Sequence, residues 1–315
     1  MKDKYKNSKV AVILGFYNGN QFILPQLDSI LKQTHKDLDI FIFDDNSTEN
    51  NDYLKSYLDH NSYPNIKIIR RKKNLGYAKN FLQGLKEVGE EYEYFAFSDQ
   101  DDVWRENKIE MAINNLNEKE YKKIAKLYFS RTAYYCSDCL NEIGSSRIFK
   151  KPISFSNALL QNIAGGNTIV MNSSARRVVI QTVGESNFIS HDWWCYLIIS
   201  GAGGRIIFDK TKTLKYRQHI KNLIGMNIGF DNQKSRFLEF VNGKVKTWLD
   251  SNIENLSKNK YLLSKNNLQI LNNLSKARRS KNIFLRLFYF YRSGVYRQSS
   301  IENFVFIIGI IFKKI

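Results

Sequence analysis

The chain is poor in residues that break or staple structure, with three prolines and three cysteines in 315 residues. So few prolines beside 14% aromatic residues exclude a Pro-rich or disordered chain, because large apolar side chains supply the burial that offsets chain entropy. Cys136, Cys139 and Cys195 are an odd number, and the first residues carry no signal-peptide pattern. A disulfide framework is therefore not expected, and a reducing, cytosolic setting is. Cys136 and Cys139 have metal-like spacing, but no second Cys or His pair follows at a finger-like distance. Phosphate-cradling glycine loops are missing as well. With no Gly-x-Gly-x-x-Gly and no Walker Gly-Lys-Ser/Thr, dinucleotide enzymes and P-loop phosphotransferases are excluded. The apolar stretch Phe304–Phe312 is too short to span a bilayer.

Acidic residues are scarce in the last third. Residues 210–315 hold 21 Lys and Arg against 5 Asp and Glu, which is +16 of the chain's +18, whereas the first 209 residues are nearly balanced. Between Lys276 and Arg297 lie seven basic residues and no acidic ones, interleaved with Phe284, Leu285, Leu287, Phe288, Tyr289, Phe290 and Tyr291. Basic side chains beside aromatics suit an anionic membrane surface. Nucleic acid would also be drawn to them. That partner leaves the acidic features of the first two thirds without a purpose, so no nucleic acid is expected.

What is present, from residue 10 to 130, is an alternation of strand and helix. Val10–Phe16, Asp39–Phe43 and Asn65–Arg70 read as strands, and a fourth apolar run ends at Ser98. Between them Ile23, Leu24, Leu27, Ile30 and Leu31, and later Ala78, Phe81, Leu82, Leu85 and Val88, recur at helical spacing. The order predicts an α/β fold, a mainly parallel sheet flanked by helices. From 130 to 220 the pattern is less regular, with Ile169–Met171 and Arg205–Phe208 as strands and a helix opening at His191. Beyond 225 the chain reads as a basic, helical extension. We therefore expect an α/β domain over residues 1–225 and a helical, basic, membrane-associating region over 226–315.

Three strand ends are polar. The first stops at Tyr17-Asn18-Gly19, the second at Asp44-Asp45-Asn46-Ser47, and the fourth at Asp99-Gln100-Asp101-Asp102. In open α/β sheets ligands lie beyond the carboxyl ends of the strands, where such loops converge. Three carboxylates within four residues repel one another and are costly at a buried strand end. A divalent ion holding a phosphorylated ligand would relieve them, and hard oxygen donors suit Mg²⁺ or Mn²⁺. The plainer alternative is an acidic turn capping the next helix.

With Phe16-Tyr17-Asn18-Gly19, Gln33-Thr34, Asp44-Asp45-Asn46-Ser47, Asn74-Leu75-Gly76 and the Asp-x-Asp-Asp cluster in this order, the chain resembles family 2 glycosyltransferases of the nucleotide-binding GT-A fold over residues 8–225. Ser-Asp-Gln-Asp-Asp-Val-Trp, His-Asp-Trp-Trp and Tyr-Arg-Gln-His resemble a bacterial branch rich in rhamnosyltransferases of surface-polysaccharide assembly. The resemblance implies an inverting, metal-dependent enzyme that moves a sugar from a dTDP- or UDP-linked donor to a lipid-linked saccharide acceptor, working on the inner face of the cell membrane. The alternatives are a nucleotidyltransferase or a basic nucleic-acid-binding protein.

The resemblance also implies roles. Tyr17, Asn18, Asp45, Asn74, Asp99 and Asp102 would hold the nucleotide sugar, with Tyr17 against the base and Asp45 accepting from the pyrimidine N–H. Asp101 would bind Mg²⁺ or Mn²⁺, joined by His219. Asp192 would be the base that takes the acceptor hydroxyl's proton. Gly166, Asn167, Trp193 and Trp194 would meet the acceptor, the tryptophans by stacking on sugar rings. For Asp45 and Asp192 the alternative is a helix cap.

Overall fold

The computed structural model describes residues 8–49, 52–117, 124–136, 141–184, 186–218 and 242–315. His219 and Cys139 lie outside the described residues.

Four strands, β1 (Val10–Phe16), β2 (Leu38–Asp44), β3 (Ile66–Arg70) and β4 (Tyr94–Ser98), pair in parallel in the order β3-β2-β1-β4. The helices α1 (Asn20–Leu31), α2 (Asp52–Asn61) and α3 (Tyr77–Glu87) are their crossovers. Successive side chains of a strand point to opposite faces, and here both faces are covered. Ala11, Ile13, Phe41, Phe43, Phe95 and Phe97 join one core cluster, while Val10, Val12, Leu14, Ile40, Ile42 and Ala96 join the other. Such strands read as unbroken apolar runs because burial on both faces leaves no polar position.

The second half adds β5 (Val103–Trp104), β6 (Lys126–Cys136), β7 (Glu142–Ser145), β8 (Val170–Asn172) and β9 (Arg205–Gln218). Among the described residues these complete a nine-stranded sheet that runs β3-β2-β1-β4-β8-β6-β9-β5, with β7 off this path. β8 runs antiparallel to β4 and β6, β9 lies parallel to β6, and β7 pairs beside β6. The helices here are α4 (Lys108–Leu116), α5 (Phe155–Ala158), α6 (Ser173–Ile180) and α7 (His191–Gly201). The expected mixed, mainly parallel sheet is present. Sequence pattern did not reveal β6 or the outer part of β9, where aromatic, polar and basic residues mix.

The C-terminal helices α8 (Lys244–Lys258), α9 (Lys265–Arg279), α10 (Ile283–Ser293) and α11 (Ser300–Ile311) lie against the sheet domain. Leu249, Ile253, Leu271, Leu274, Phe306 and Ile310 belong to the same core cluster as α7. Asn267 Nδ2 donates to the carbonyls of Ser200 and Gly201 at 2.9 and 3.0 Å, satisfying the open end of α7. Tyr296, Arg297 and Gln298 bond to residues 151–161.

Of the seven basic residues between Lys276 and Arg297 that suit an anionic surface, three are engaged within the protein. Arg286 is buried and donates to Ile310 and Ile311 carbonyls, closing the end of α11. Arg278 pairs with Asp250 at 2.7 Å and Arg297 with Glu302 at 2.8 Å. Lys276, Arg279, Lys281 and Arg292 remain exposed.

Candidate active site

The register of the sheet gathers the polar strand ends. Phe16 of β1 lies opposite Asp44 of β2, and Leu14 lies opposite Ser98 of β4, so the turns after all three strands meet at one edge. Gln100 ties two of them. Its side chain accepts from Tyr17 N at 2.8 Å and donates to Tyr17 O at 3.1 Å. Asn18, in the left-handed region at φ 47°, ties the second pair by accepting from the N–H groups of Thr48 and Glu49 at 2.9 and 3.1 Å. Asp45 reaches the third loop: its two oxygens accept from Leu75 N at 2.7 Å and Gly76 N at 2.9 Å. Gly76 sits at φ 78°, ψ 150°, a conformation open to glycine and little else. The Asn-Leu-Gly motif is therefore a shaped turn moored to Asp45.

Beyond β4 the carboxylates crowd. Asp99 is pushed up to about 7 by burial first, then by Asp101 and Asp192, with Lys108 opposing. Asp102 is fully buried and held well above the usual carboxylate range by burial, then Asp99 and Asp101. Its Oδ2 accepts from Asn167 Nδ2 at 2.6 Å, while its buried Oδ1 has no hydrogen-bond partner among the described residues. Lys108, fully buried, donates to Asn167 O at 2.8 Å and stands 3.2 Å from the centroid of the Trp104 ring.

Asp192 opens the first turn of α7, whose N-cap is Ser190. Its Oδ1 accepts from Trp193 N at 2.7 Å and its Oδ2 from Gly166 N at 3.2 Å. Each oxygen keeps a further lone pair for a hydroxyl proton. His191 cannot compete for that proton near neutrality: burial lowers it to about 4, with Asp192 opposing. Tyr77, whose hydroxyl donates to Ile189 O at 3.0 Å, is pushed up to about 12 by burial, then by Asp192 and Asp99. One phenol thus feels carboxylates from both sides of the cleft.

A profile of the family "Glycosyl transferase family 2" matches residues 11–157. The dTDP-rhamnosyl transferase RfbG of Shigella flexneri is 34% identical over 224 residues, covering 68% of this chain and 74% of that protein. The chain belongs to glycosyltransferase family 2. Two solved structures share its fold. The crystal structure of S. aureus TarS 1-349 superposes with TM-score 0.57 at 14% identity, over 97% of this chain and 80% of that one. The mannosyltransferase PcManGT from Pyrobaculum calidifontis, in complex with GDP-Man and Mn²⁺, gives TM-score 0.50 at 14% identity, over 97% and 85%. This family 2 glycosyltransferase has the GT-A fold and transfers a sugar from a nucleoside-diphosphate donor, which leaves the nucleotidyltransferase reading without support.

The structure gathers Tyr17, Asn18, Asp45, Asn74, Asp102, Gly166, Asn167 and Asp192 around this edge, through the bonds just described or, for Asn74, its own bond to Gly76 N at 3.0 Å, and Asp99 joins them by its repulsion with Asp101 and Asp192. Trp193 and Trp194 are not available for stacking on an acceptor. Trp193 is 7% exposed and donates to Ala158 O at 2.7 Å, and Trp194 is 1% exposed and donates to Thr182 Oγ1 at 2.8 Å. They anchor α7 in the core. Asn18 and Asn167 likewise spend their side chains on neighbouring loops. Sequence reasoning missed Gln100 and Lys108. The signal for Lys108 was a lysine on the apolar stripe of α4, with Ile109, Ala112, Ile113 and Leu116.

Among the described residues no three His, Cys, Asp or Glu side chains form a metal cage. A cation shared with a diphosphate needs only one or two carboxylates, because phosphates and water fill the remaining positions. The residues fit that role: Asp99 and Asp102 are raised by burial and then by neighbouring carboxylates, and Asp102 Oδ1 has no partner among the described residues, costs that a cation at Asp101 would reduce.

Proposed function

We propose that this enzyme transfers a sugar of the rhamnose class, from a dTDP- or UDP-linked donor and with inversion, to a lipid-linked saccharide at an anionic membrane face. The donor class follows the relative named a dTDP-rhamnosyl transferase. The observation that carries the mechanism is Asp192. It is buried, held through both oxygens by backbone N–H groups, and electrostatically coupled to Asp99. Inverting displacement needs one base, aimed at the acceptor hydroxyl as that oxygen attacks the anomeric carbon. Asp192 takes the proton, Asp45 and the turn it moors hold the nucleoside, and Asp99 orients the donor, with the buried Asp102 behind it fixing Asn167. Asp101 would hold the divalent ion. When bound, Mg²⁺ or Mn²⁺ supplies the charge that stabilises the departing diphosphate. Asp192→Asn should nearly abolish transfer while leaving nucleotide affinity within a few-fold. Loss of nucleotide binding with transfer restored at saturating donor would make Asp192 a binding residue instead.

The membrane reading rests on α10 and α11. Phe284, Leu285, Phe288 and Tyr291 of α10, and Ile301, Phe304 and Ile308 of α11 with Phe312 after it, are exposed. Arg286 bonds the two helices together, and the exposed cations Lys276, Arg279, Lys281, Arg292, Lys313 and Lys314 lie on these helices or beside them. Among the described residues no helix is long and apolar enough to cross a membrane. Aromatics flanked by lysine and arginine suit insertion into one anionic leaflet.

A further inference from the structure

We propose that Lys108 is a positioning residue that aims Asp192 through the turn at Gly165–Thr168, an inference that rests on Asp192 being the base. Lys108 lies on α4, on the donor side of the cleft, with none of its surface exposed. An ammonium removed from water is destabilising unless its surroundings compensate it. Burial pushes the Lys108 amine well below the usual lysine range, opposed by Asp102 and then Asp99, and what holds it in place is the Asn167 carbonyl at 2.8 Å and the face of Trp104. Asn167 is thereby gripped twice: its carbonyl by the lysine, its side-chain amide by Asp102 at 2.6 Å. Thr168 closes the turn, donating to Gly165 O from its amide at 2.9 Å and its hydroxyl at 2.7 Å.

Between these fixed points stands Gly166, whose N–H donates to Asp192 Oδ2. A Cβ on Gly166 would come within 2.5 Å of His191 Nε2, so a bare backbone is needed for the turn to approach α7 this closely. A buried lysine on the donor side thus fixes the amide that orients the acceptor-side carboxylate. Without Lys108 the Asn167 carbonyl loses its donor, and the turn can relax away from Asp192. A misplacement of about 1 Å in such a group costs on the order of a hundredfold in rate.

The test is Lys108→Met in the full chain. The expected result is a kcat lowered about 10- to 100-fold, with the donor KM within about threefold. In an Asp192→Asn background the same change should cost less than about twofold more, because both substitutions remove one interaction. Should Lys108→Met not fold, Asn167→Ser releases the turn from Asp102 and is read in the same way. A raised donor KM at unchanged kcat, or an equal kcat loss in the Asp192→Asn background, would overturn the inference. So would a normal kcat in the folded variant while Asp192→Asn is inactive, and that result would leave the base assignment standing. Full transfer by Asp192→Asn would overturn the base assignment and this inference with it.

Discussion

The imidazole of His191 lies flat on the ring of Phe81, the two centroids 4.1 Å apart with 23° between their planes. Phe97 meets it edge-on at 4.9 Å, and both ring nitrogens are buried without a hydrogen-bond partner among the described residues. An imidazolium in this aromatic box would give up its hydration for nothing comparable, and burial accordingly holds the group near 4.

A pH dependence follows. An unfolded histidine titrates near 6.5, so below that pH the unfolded chain binds a proton that folded His191 refuses. Its contribution is fully present above pH 6.5 and is lost as pH falls through about 4. The loss from this group amounts to about 3 kcal/mol. His191→Phe keeps a ring in the stack and removes the titration. Thermal unfolding from pH 7 to 4 should therefore fall less steeply in the variant. Parallel curves would show that other groups set the acid limb.

Asp45 organises the cleft from the opposite side, mooring Leu75 and Gly76 by their amides. Asp45→Asn keeps one acceptor oxygen and turns an NH₂ group toward the other amide, so one of two charge-assisted bonds is replaced by donor facing donor. Such bonds contribute about 1.5–3 kcal/mol, and nucleotide affinity should fall on the order of tenfold or more by titration calorimetry. Unchanged affinity would remove Asp45 and its turn from the nucleoside site.

The carboxylate cluster predicts a divalent-ion requirement. Chelator should abolish transfer and Mg²⁺ or Mn²⁺ restore it, while Asp101→Asn should cost about 10²-fold or more through lost leaving-group stabilisation. Full activity in chelator would sink the idea.

Much of this site was legible in the sequence because backbone geometry dictates it. β1, β2 and β4 announced themselves as doubly buried apolar runs, and the polar residues that stop them fall at the ligand-facing edge by topology alone. The direction of a side chain was not legible. Trp193 and Trp194 sit beside Asp192 in sequence, yet adjacent residues of a helix point about 100° apart, which sends both indoles into the core. Arg286 stands in the same basic, aromatic run as the exposed cations, yet its guanidinium closes α11. Gln100 and Lys108 act across 83 and 59 positions of chain, on Tyr17 and Asn167, distances over which local pattern says nothing.

The last prediction concerns the membrane. Each exposed lysine or arginine near an anionic surface is worth about 1 kcal/mol, a hold that salt weakens. Apolar insertion is insensitive to salt, and burying a phenylalanine contributes about 1.5–3 kcal/mol. Cutting the chain near Lys276 is a poor test, because it would strip Phe306 and Ile310 from the common core. Phe284 and Phe304 are 79% and 64% exposed, so Phe284→Ser with Phe304→Ser should leave the fold intact. In liposome flotation the full chain should bind vesicles containing anionic lipid, with a remainder that survives high salt. The double serine variant should lose that remainder, weakening binding by about a hundredfold at 1.4 kcal/mol per decade. Replacing Lys281 and Arg292 by Gln should instead weaken only the salt-sensitive part. Equal flotation of all three proteins, or none of the unmodified chain on anionic vesicles, would rule out α10 and α11 as the membrane-facing surface.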